Sequence, residues 1–247
     1  MIRALLLWAM AYLLGSIPVG MVVAEWFKAD DPRTQGSGNI GATNLARIAG
    51  GEAGLLTLGG DCLKGFLAVI LARIFGAGDF VAALTGLAAF LGHLYPVFLD
   101  FKGGKGVATA FGAIFALSPI SAIIGAIIFV IGVAWSRFVS LGSLAAAIAV
   151  PAFLGLLGNS WPIVYVGLAI CGFIIYRHRD NINRLLAGEE NPVPDEVIEP
   201  VDRLIDECFK VFKGGKSKTE EPKQEEKDEA ESKTKSMPPA MTKKTKK

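Results

Sequence analysis

Residues Phe101-Lys102-Gly103-Gly104-Lys105-Gly106-Val107 thread two lysines through three glycines, directly between two apolar segments. Glycine lets the backbone approach a ligand and turn successive N–H groups onto an anion, while ammonium groups neutralise it; the chemistry this suits is phosphate binding at a membrane surface. The run lacks the Gly-Lys-Ser/Thr ending and flanking strand of a P-loop, and it would serve equally well as a cationic loop anchoring helix ends among lipid headgroups.

A second polar cluster runs from Asp31 to Arg47 and contains Ser37-Gly38-Asn39-Ile40-Gly41-Ala42-Thr43-Asn44. Its glycines free the backbone, its hydroxyls and amides supply donors and acceptors, and Arg47 can hold a phosphate through a forked pair of hydrogen bonds. A plainer reading is a turn followed by a helix capped by Asn39 or Thr43. The glycine-lysine run extends backward to Gly92-His93-Leu94-Tyr95-Pro96, where a lone histidine is more often a satisfied core residue than a catalyst. A third cluster, His178 to Glu190, reads as a short helix stopped at Gly188, with His178, Asn181 and Leu185 on one face and Arg177, Asn181 and Arg184 on another.

The elements that position these clusters are apolar. Hydrophobic residues make up 52% of the chain and mean hydropathy is +0.46. The last 57 residues, Asn191 to Lys247, nevertheless hold 13 of the 25 Lys+Arg and 13 of the 23 Asp+Glu. Neither part carries a strong net charge, which argues against nucleic acid as a partner. Cys62, Cys171 and Cys208 have neither metal-site nor disulfide-framework spacing and read as packing residues. No arrangement of His, Cys and carboxylate residues suggests a metal site, and none suggests a catalytic triad.

Seven apolar segments are expected to span a bilayer: Ala4–Ala24, Leu55–Ile74, Phe80–Phe98, Val107–Leu117, Ile120–Val133, Leu141–Leu157 and Trp161–Tyr176. The first is too long for a signal peptide. The fourth and fifth are short, and Ser118-Pro119 between them is either a tight turn or a kink. With seven spans, Lys28, Arg33, Arg47, Lys102, Lys105, Arg137, Arg177, Arg179 and Arg184 fall on one side and little beyond Arg3 and Arg73 on the other. The positive-inside rule then puts the N-terminus outside and the C-terminus in the cytoplasm, with all three polar clusters facing the cytoplasm. Within the second span, Asp61 and Lys64 lie three apart on one helical face, where mutual pairing outweighs a ligand contact.

At these positions the chain resembles the bacterial acyl-phosphate-dependent glycerol-3-phosphate acyltransferases of the inner membrane. Ser37 to Asn44 with Arg47 looks like the first family motif. Gly92-His93 through Pro96, Phe101 and Lys102 to Thr109 look like the second. Asn181-Ile182 with Arg184, Leu185, Gly188 and Glu190 look like the third. The likeness covers residues 1–190 and implies an all-α integral membrane domain of seven transmembrane helices. It implies transfer of a fatty acyl group from acyl phosphate to the 1-hydroxyl of glycerol 3-phosphate, without cofactor or metal, in the lipid bilayer and as a monomer. Ser37, Arg47, Lys105, His178 and Asn181 would surround the glycerol 3-phosphate, and the glycine-lysine loop would help hold the acyl phosphate. Gly38, Asn39, Gly41, Thr43, Asn44, His93, Lys102, Gly103, Gly104, Gly106, Arg184 and Glu190 are the further substrate-binding positions. The hydroxyl proton would go to the donor's own phosphate, with His93 or His178 as the alternative acceptor.

The tail departs from the family pattern. Val201, Leu204, Ile205, Cys208, Val211 and Phe212 recur at helical spacing, so residues 191–213 are expected to include an amphipathic interfacial helix. Residues 214–247, rich in Lys, Glu, Ser and Pro, are expected to be disordered, and truncation after Phe212 is expected to leave activity intact. A transporter of phosphorylated solutes is the rival reading. It is disfavoured by the short, nearly uncharged connections Gly76–Asp79 and Gly158–Ser160 and by the lack of an internal repeat.

Overall fold

A computed structural model describes residues 1–193, and these contain helices and connecting turns without strands. The amphipathic segment and charged tail expected beyond them lie outside the described residues. The helices are α1 (Ile2–Ser16), α2 (Val19–Trp26), α3 (Ala42–Ala49), α4 (Gly51–Ile74), α5 (Asp79–Leu94), α6 (Val107–Leu117), α7 (Pro119–Ser136), α8 (Val139–Leu156), α9 (Trp161–Arg177) and α10 (Arg179–Ala187).

Among the described residues five stretches are long and apolar enough to cross a bilayer: Ile2–Trp26, α4, Asp79–Leu99, α7 and α8. A sixth arises if α9 and α10, which meet at 55°, count as one bent span. The expected fourth span is the 11-residue α6, roughly 16 Å long against a hydrocarbon core of about 30 Å. Ser118 separates it from α7 in extended backbone, and Pro119 opens α7 where its missing N–H is not needed. Ser118-Pro119 is therefore a break between two helices. The protein is a multi-pass membrane protein, as its lipid-compatible exterior also requires: Leu6, Met10, Leu63, Ile127, Ile131 and Leu168 are all exposed.

With lipid outside, close packing rather than water exclusion must hold the helices together, and small residues permit it. A Cβ on Gly65 would strike the Thr109 carbonyl, and one on Gly112 would strike that of Cys62, so α4 and α6 touch backbone to backbone. Gly15 and Gly92 do the same for α1 and α5. Val69, Phe90, Leu94, Ile114, Leu154 and Ile174 fill the centre.

The first span breaks at Ile17-Pro18. Proline supplies no N–H and forces the residue before it toward extended backbone, so the Ile17 carbonyl leaves the helical ladder and accepts from the Val19 N–H at 3.0 Å instead. The Lys64 Nζ donates to that carbonyl at 3.0 Å and pairs with Asp61 at 2.9 Å. The expected Asp61–Lys64 pair is thus present and also mends a broken helix.

Candidate active site

The loop ahead of α3 is held by Asn44, only 1% exposed. Its Nδ2 donates to the carbonyls of Pro32 (2.9 Å) and Gln35 (3.1 Å), and its Oδ1 accepts from the Ser37 N–H (2.8 Å). Gly36, at φ +58°, lies so close to that Oδ1 that a Cβ would collide with it. Asn44 therefore binds its own loop. The Asn39 side chain accepts from the Gly41 N–H at 2.9 Å, and α3 starts after Gly41 without a side-chain cap, so neither Asn39 nor Thr43 caps it. Ser37, Asn39, Thr43 and Arg47 line the cavity beside Asn44. Arg47, in the last turn of α3, donates through Nη2 to the carbonyls of Asn191 and Pro192, each at 3.1 Å.

The glycine-lysine loop follows Pro96 through a 3₁₀ turn at Val97–Leu99 and two left-handed residues, Asp100 (φ 49°) and Phe101 (φ 61°). Its Gly103 and Gly104 N–H groups donate to the carbonyls of Leu94 (3.1 Å) and His93 (3.2 Å). Those donors point back at α5 instead of into a ligand site. Gly104 rests on the His93 ring, which is buried, and His93 Nδ1 lies 3.4 Å from Asp61. Lys105 then turns into the cavity and its Nζ donates to Asn181 Oδ1 at 2.6 Å; Gly106, at φ +80°, starts α6.

The α9–α10 junction supplies the opposite wall. His178 Nδ1 lies 2.8 Å from the Ile174 carbonyl, which can only accept, so Nδ1 carries the hydrogen and Nε2 is left as an acceptor. Asn181 Nδ2 donates to Glu190 Oε1 at 2.6 Å. Ser140 Oγ donates to the same oxygen at 2.9 Å, and Arg184 Nε donates to Oε2 at 2.9 Å. Burial opposes the charge on Glu190, but the bonds from Asn181, Ser140 and Arg184 outweigh it and hold the carboxyl below its ordinary value. Burial pushes the Lys105 ammonium down to about 8, helped by Arg184, Arg47 and Arg177 and opposed by Glu190.

Together these groups form one end of a cavity of about 450 Å³. Its other end is an apolar arm between α6, α7, α8 and α9, lined among others by Phe111, Ile114, Ala126, Phe129, Ala147 and Ile170. Ser140 and Val150 both line it, so it follows α8 for roughly 15 Å at 1.5 Å per residue. A site of this shape suits an amphiphile: an anion among Arg47, Lys105 and Arg184, and a hydrocarbon chain in the arm.

The sequence matches the family model for glycerol-3-phosphate acyltransferase over residues 5–188. The chain belongs to this family. It is 49% identical over 192 residues to the glycerol-3-phosphate acyltransferase of Geobacter sulfurreducens, covering 77% of this chain and 98% of that one. The Aquifex aeolicus acyltransferase is 48% identical over 190 residues, covering 76% and 98%. A crystal structure of PlsY, an integral membrane glycerol 3-phosphate acyltransferase in its glycerol 3-phosphate form, superposes with a TM-score of 0.75 at 46% identity, covering 78% of this chain and 96% of that one. The lysophosphatidic acid form of PlsY gives 0.72 at 46%, covering 77% and 95%.

In this acyltransferase the expected residues Ser37, Asn39, Gly41, Thr43, Asn44, Arg47, His93, Lys105, Gly106, His178, Asn181, Arg184 and Glu190 line one cavity. Gly38, Lys102, Gly103 and Gly104 do not; Lys102 is exposed, and the two consecutive glycines pack against His93. Sequence reasoning missed Ser140, whose bond to Glu190 joins positions 50 apart, and Cys62, which lines the cavity beside Asp61. A serine amid small residues on α8 carries no signal of such a role.

Proposed function

We propose that the chain transfers a fatty acyl group from acyl phosphate to the 1-hydroxyl of sn-glycerol 3-phosphate, giving 1-acylglycerol 3-phosphate (lysophosphatidate) and inorganic phosphate, the first acylation of phospholipid synthesis. The observation that carries this reading is the single cavity that joins an anion-binding mouth to an apolar arm. Relatives described in glycerol 3-phosphate and lysophosphatidic acid forms support the same acceptor and product.

Arg47 and Lys105 hold the acceptor phosphate, exchanging their present carbonyl and amide partners for it, with Ser37 and Asn181 alongside. The His178 Nε2 accepts from an acceptor hydroxyl and orients it. The donor's chain occupies the arm. The acceptor oxygen then bonds to the carbonyl carbon, and the bond from that carbon to the phosphate oxygen breaks with its electron pair. The hydroxyl proton passes to the departing phosphate. An acyl phosphate is already activated, so positioning and cationic stabilisation of the leaving group supply the catalysis, and no protein nucleophile or cofactor enters.

Counting α6 as a short span gives seven spans in a monomer of the bacterial inner membrane. The segments bearing Lys28 to Arg47, Lys102 and Lys105, Arg137, and Arg177 to Arg184 then share the cytoplasmic side, and the N-terminus lies outside. The site then opens toward the cytoplasm.

The test is purified protein in lipidic mesophase with palmitoyl phosphate and glycerol 3-phosphate, following phosphate and lysophosphatidate together, with acyl-CoA and acyl carrier protein as alternative donors. Equal amounts of both products from acyl phosphate, lost in Lys105→Ala, are expected. Folded protein that makes neither product, or that uses only a thioester donor, refutes the proposal. A His178→Gln variant, whose amide oxygen still accepts from the hydroxyl, that binds glycerol 3-phosphate normally yet is inactive would overturn the proton route.

A further inference from the structure

The conformation of the glycine-lysine loop is not one that its own residues select. Gly103 and Gly104 are the two least restrained residues a chain can offer, and they follow two non-glycine residues, Asp100 and Phe101, held in the left-handed region. Yet Lys105, immediately after them, has to meet Asn181 at 2.6 Å. Something must fix the peptide planes between.

On one side the loop lies against the end of α5, where the His93 and Leu94 carbonyls accept from Gly104 and Gly103. On the other side stands Arg177, the last residue of α9. Its Nη2 donates to the Gly103 carbonyl at 2.7 Å and its Nε to the Gly104 carbonyl at 3.2 Å. The guanidinium also sits 5.9 Å above the Tyr95 ring, and the Tyr95 carbonyl is itself held by the Tyr12 hydroxyl at 2.6 Å. Arg177 does not line the cavity, and the two bonds use Nε and one Nη, which a planar fork delivers together and a single ammonium does not.

We propose that Arg177 is a positioning residue: by clamping the Gly103 and Gly104 carbonyls it orients the loop so that Lys105 enters the cavity. The clamp also ties the loop to α9, one residue before His178. Two walls of the site, the Lys105 side and the His178–Asn181 side, are thereby held in one register. This rests on the acyl-transfer reading only for its kinetic readout.

The experiment compares wild type with Arg177→Ala and Arg177→Lys in lipidic mesophase, measuring kcat and KM for glycerol 3-phosphate and hydrogen exchange at the Gly103 and Gly104 amides. In Arg177→Ala, kcat/KM is expected to fall about 100-fold, mostly through KM for glycerol 3-phosphate, as Lys105 loses its place. Exchange at the two glycine amides is expected to quicken by about tenfold or more while α4 and α5 stay protected. Added guanidinium ion is expected to restore part of the activity of Arg177→Ala and to leave wild type unchanged. Arg177→Lys keeps the charge and most of the volume and decides the matter if the alanine variant does not fold; it is expected to stay well below wild type. Near-normal kinetics in either variant overturns the proposal, as does lost activity with unchanged glycine exchange and no rescue. Wild type that ignores acyl phosphate would refute the donor assignment alone, and the exchange comparison would still decide Arg177.

Discussion

Raising the pH should weaken glycerol 3-phosphate binding by discharging Lys105, whose buried ammonium loses its proton near 8. With that value the charged fraction is about 0.9 at pH 7 and about 0.1 at pH 9, so kcat/KM for glycerol 3-phosphate should drop about tenfold across that interval, because this ratio reports the free enzyme's groups. Once the phosphate dianion is bound it stabilises the ammonium, so kcat itself should change far less over the same range. Below about pH 6 the substrate's second ionisation should bring a separate fall. The assay is initial-rate kinetics from pH 5.5 to 9.5 at saturating donor. Lys105→Arg should be slower yet lack the alkaline break, since a guanidinium stays charged throughout. The reasoning would be refuted by a flat kcat/KM to pH 9.5 or by the same break in the arginine variant. Stability carries the opposite sign: between about 8 and 10.4 the unfolded chain holds a proton at Lys105 that the folded chain has released, so this site's contribution to stability should improve as pH rises through that window.

Glu190→Gln should raise KM for glycerol 3-phosphate about tenfold, because a neutral amide cannot accept from Asn181, Ser140 and Arg184 together; steady-state kinetics would check it. Asn44→Ala strands one buried N–H and two carbonyls in the loop ahead of α3 and should cost about 2 kcal/mol, read as a lower midpoint in thermal unfolding, with activity falling as Ser37 loosens. Gly112→Ala drives a methyl into the Cys62 carbonyl and should destabilise by about 1–3 kcal/mol or prevent folding, visible as aggregation on detergent extraction.

The apolar segments were legible because each is a run of mostly apolar residues ended by Gly, Pro or a polar loop, even where Asp61, Lys64 and Arg73 interrupt the second. Their limits in the structure differ from expectation by a few residues, and α10 stops at Gly188 in the left-handed conformation, as a terminal glycine suggests. The status of α6 was harder to read, since its 11 residues satisfy the composition of a span and not the length. The gathering of motif residues around one cavity could be anticipated; their division of labour could not. Asn44 and Asn181 are the same residue type in equally polar motifs, yet one is spent on its own loop and the other links Lys105 to Glu190. Gly103 and Gly104 have the composition of a phosphate cradle, but their N–H groups go to the Leu94 and His93 carbonyls at the end of α5. Which acceptor an N–H meets depends on tertiary approach, and no local pattern encodes it. Arg177 illustrates this best: the sequence places it as a positive charge on a face with Asn181 and Arg184, and nothing local sends it to the Gly103 and Gly104 carbonyls.

The apolar arm has a consequence for turnover. Moving a methylene from water into hydrocarbon gains about 0.8 kcal/mol, but under the proposed reaction the chain that enters this arm comes from a bilayer and returns to one. Isoleucine, valine and phenylalanine side chains are no better a solvent for it than lipid tails are, so lengthening the chain adds almost nothing to how tightly it is held. Selection and grip therefore fall to the charged mouth, and the acylated product keeps only a phosphate-sized hold on the protein. Under the proposed reaction its return to the bilayer then costs little, and the membrane would be both the reservoir that feeds the enzyme and the sink that empties it.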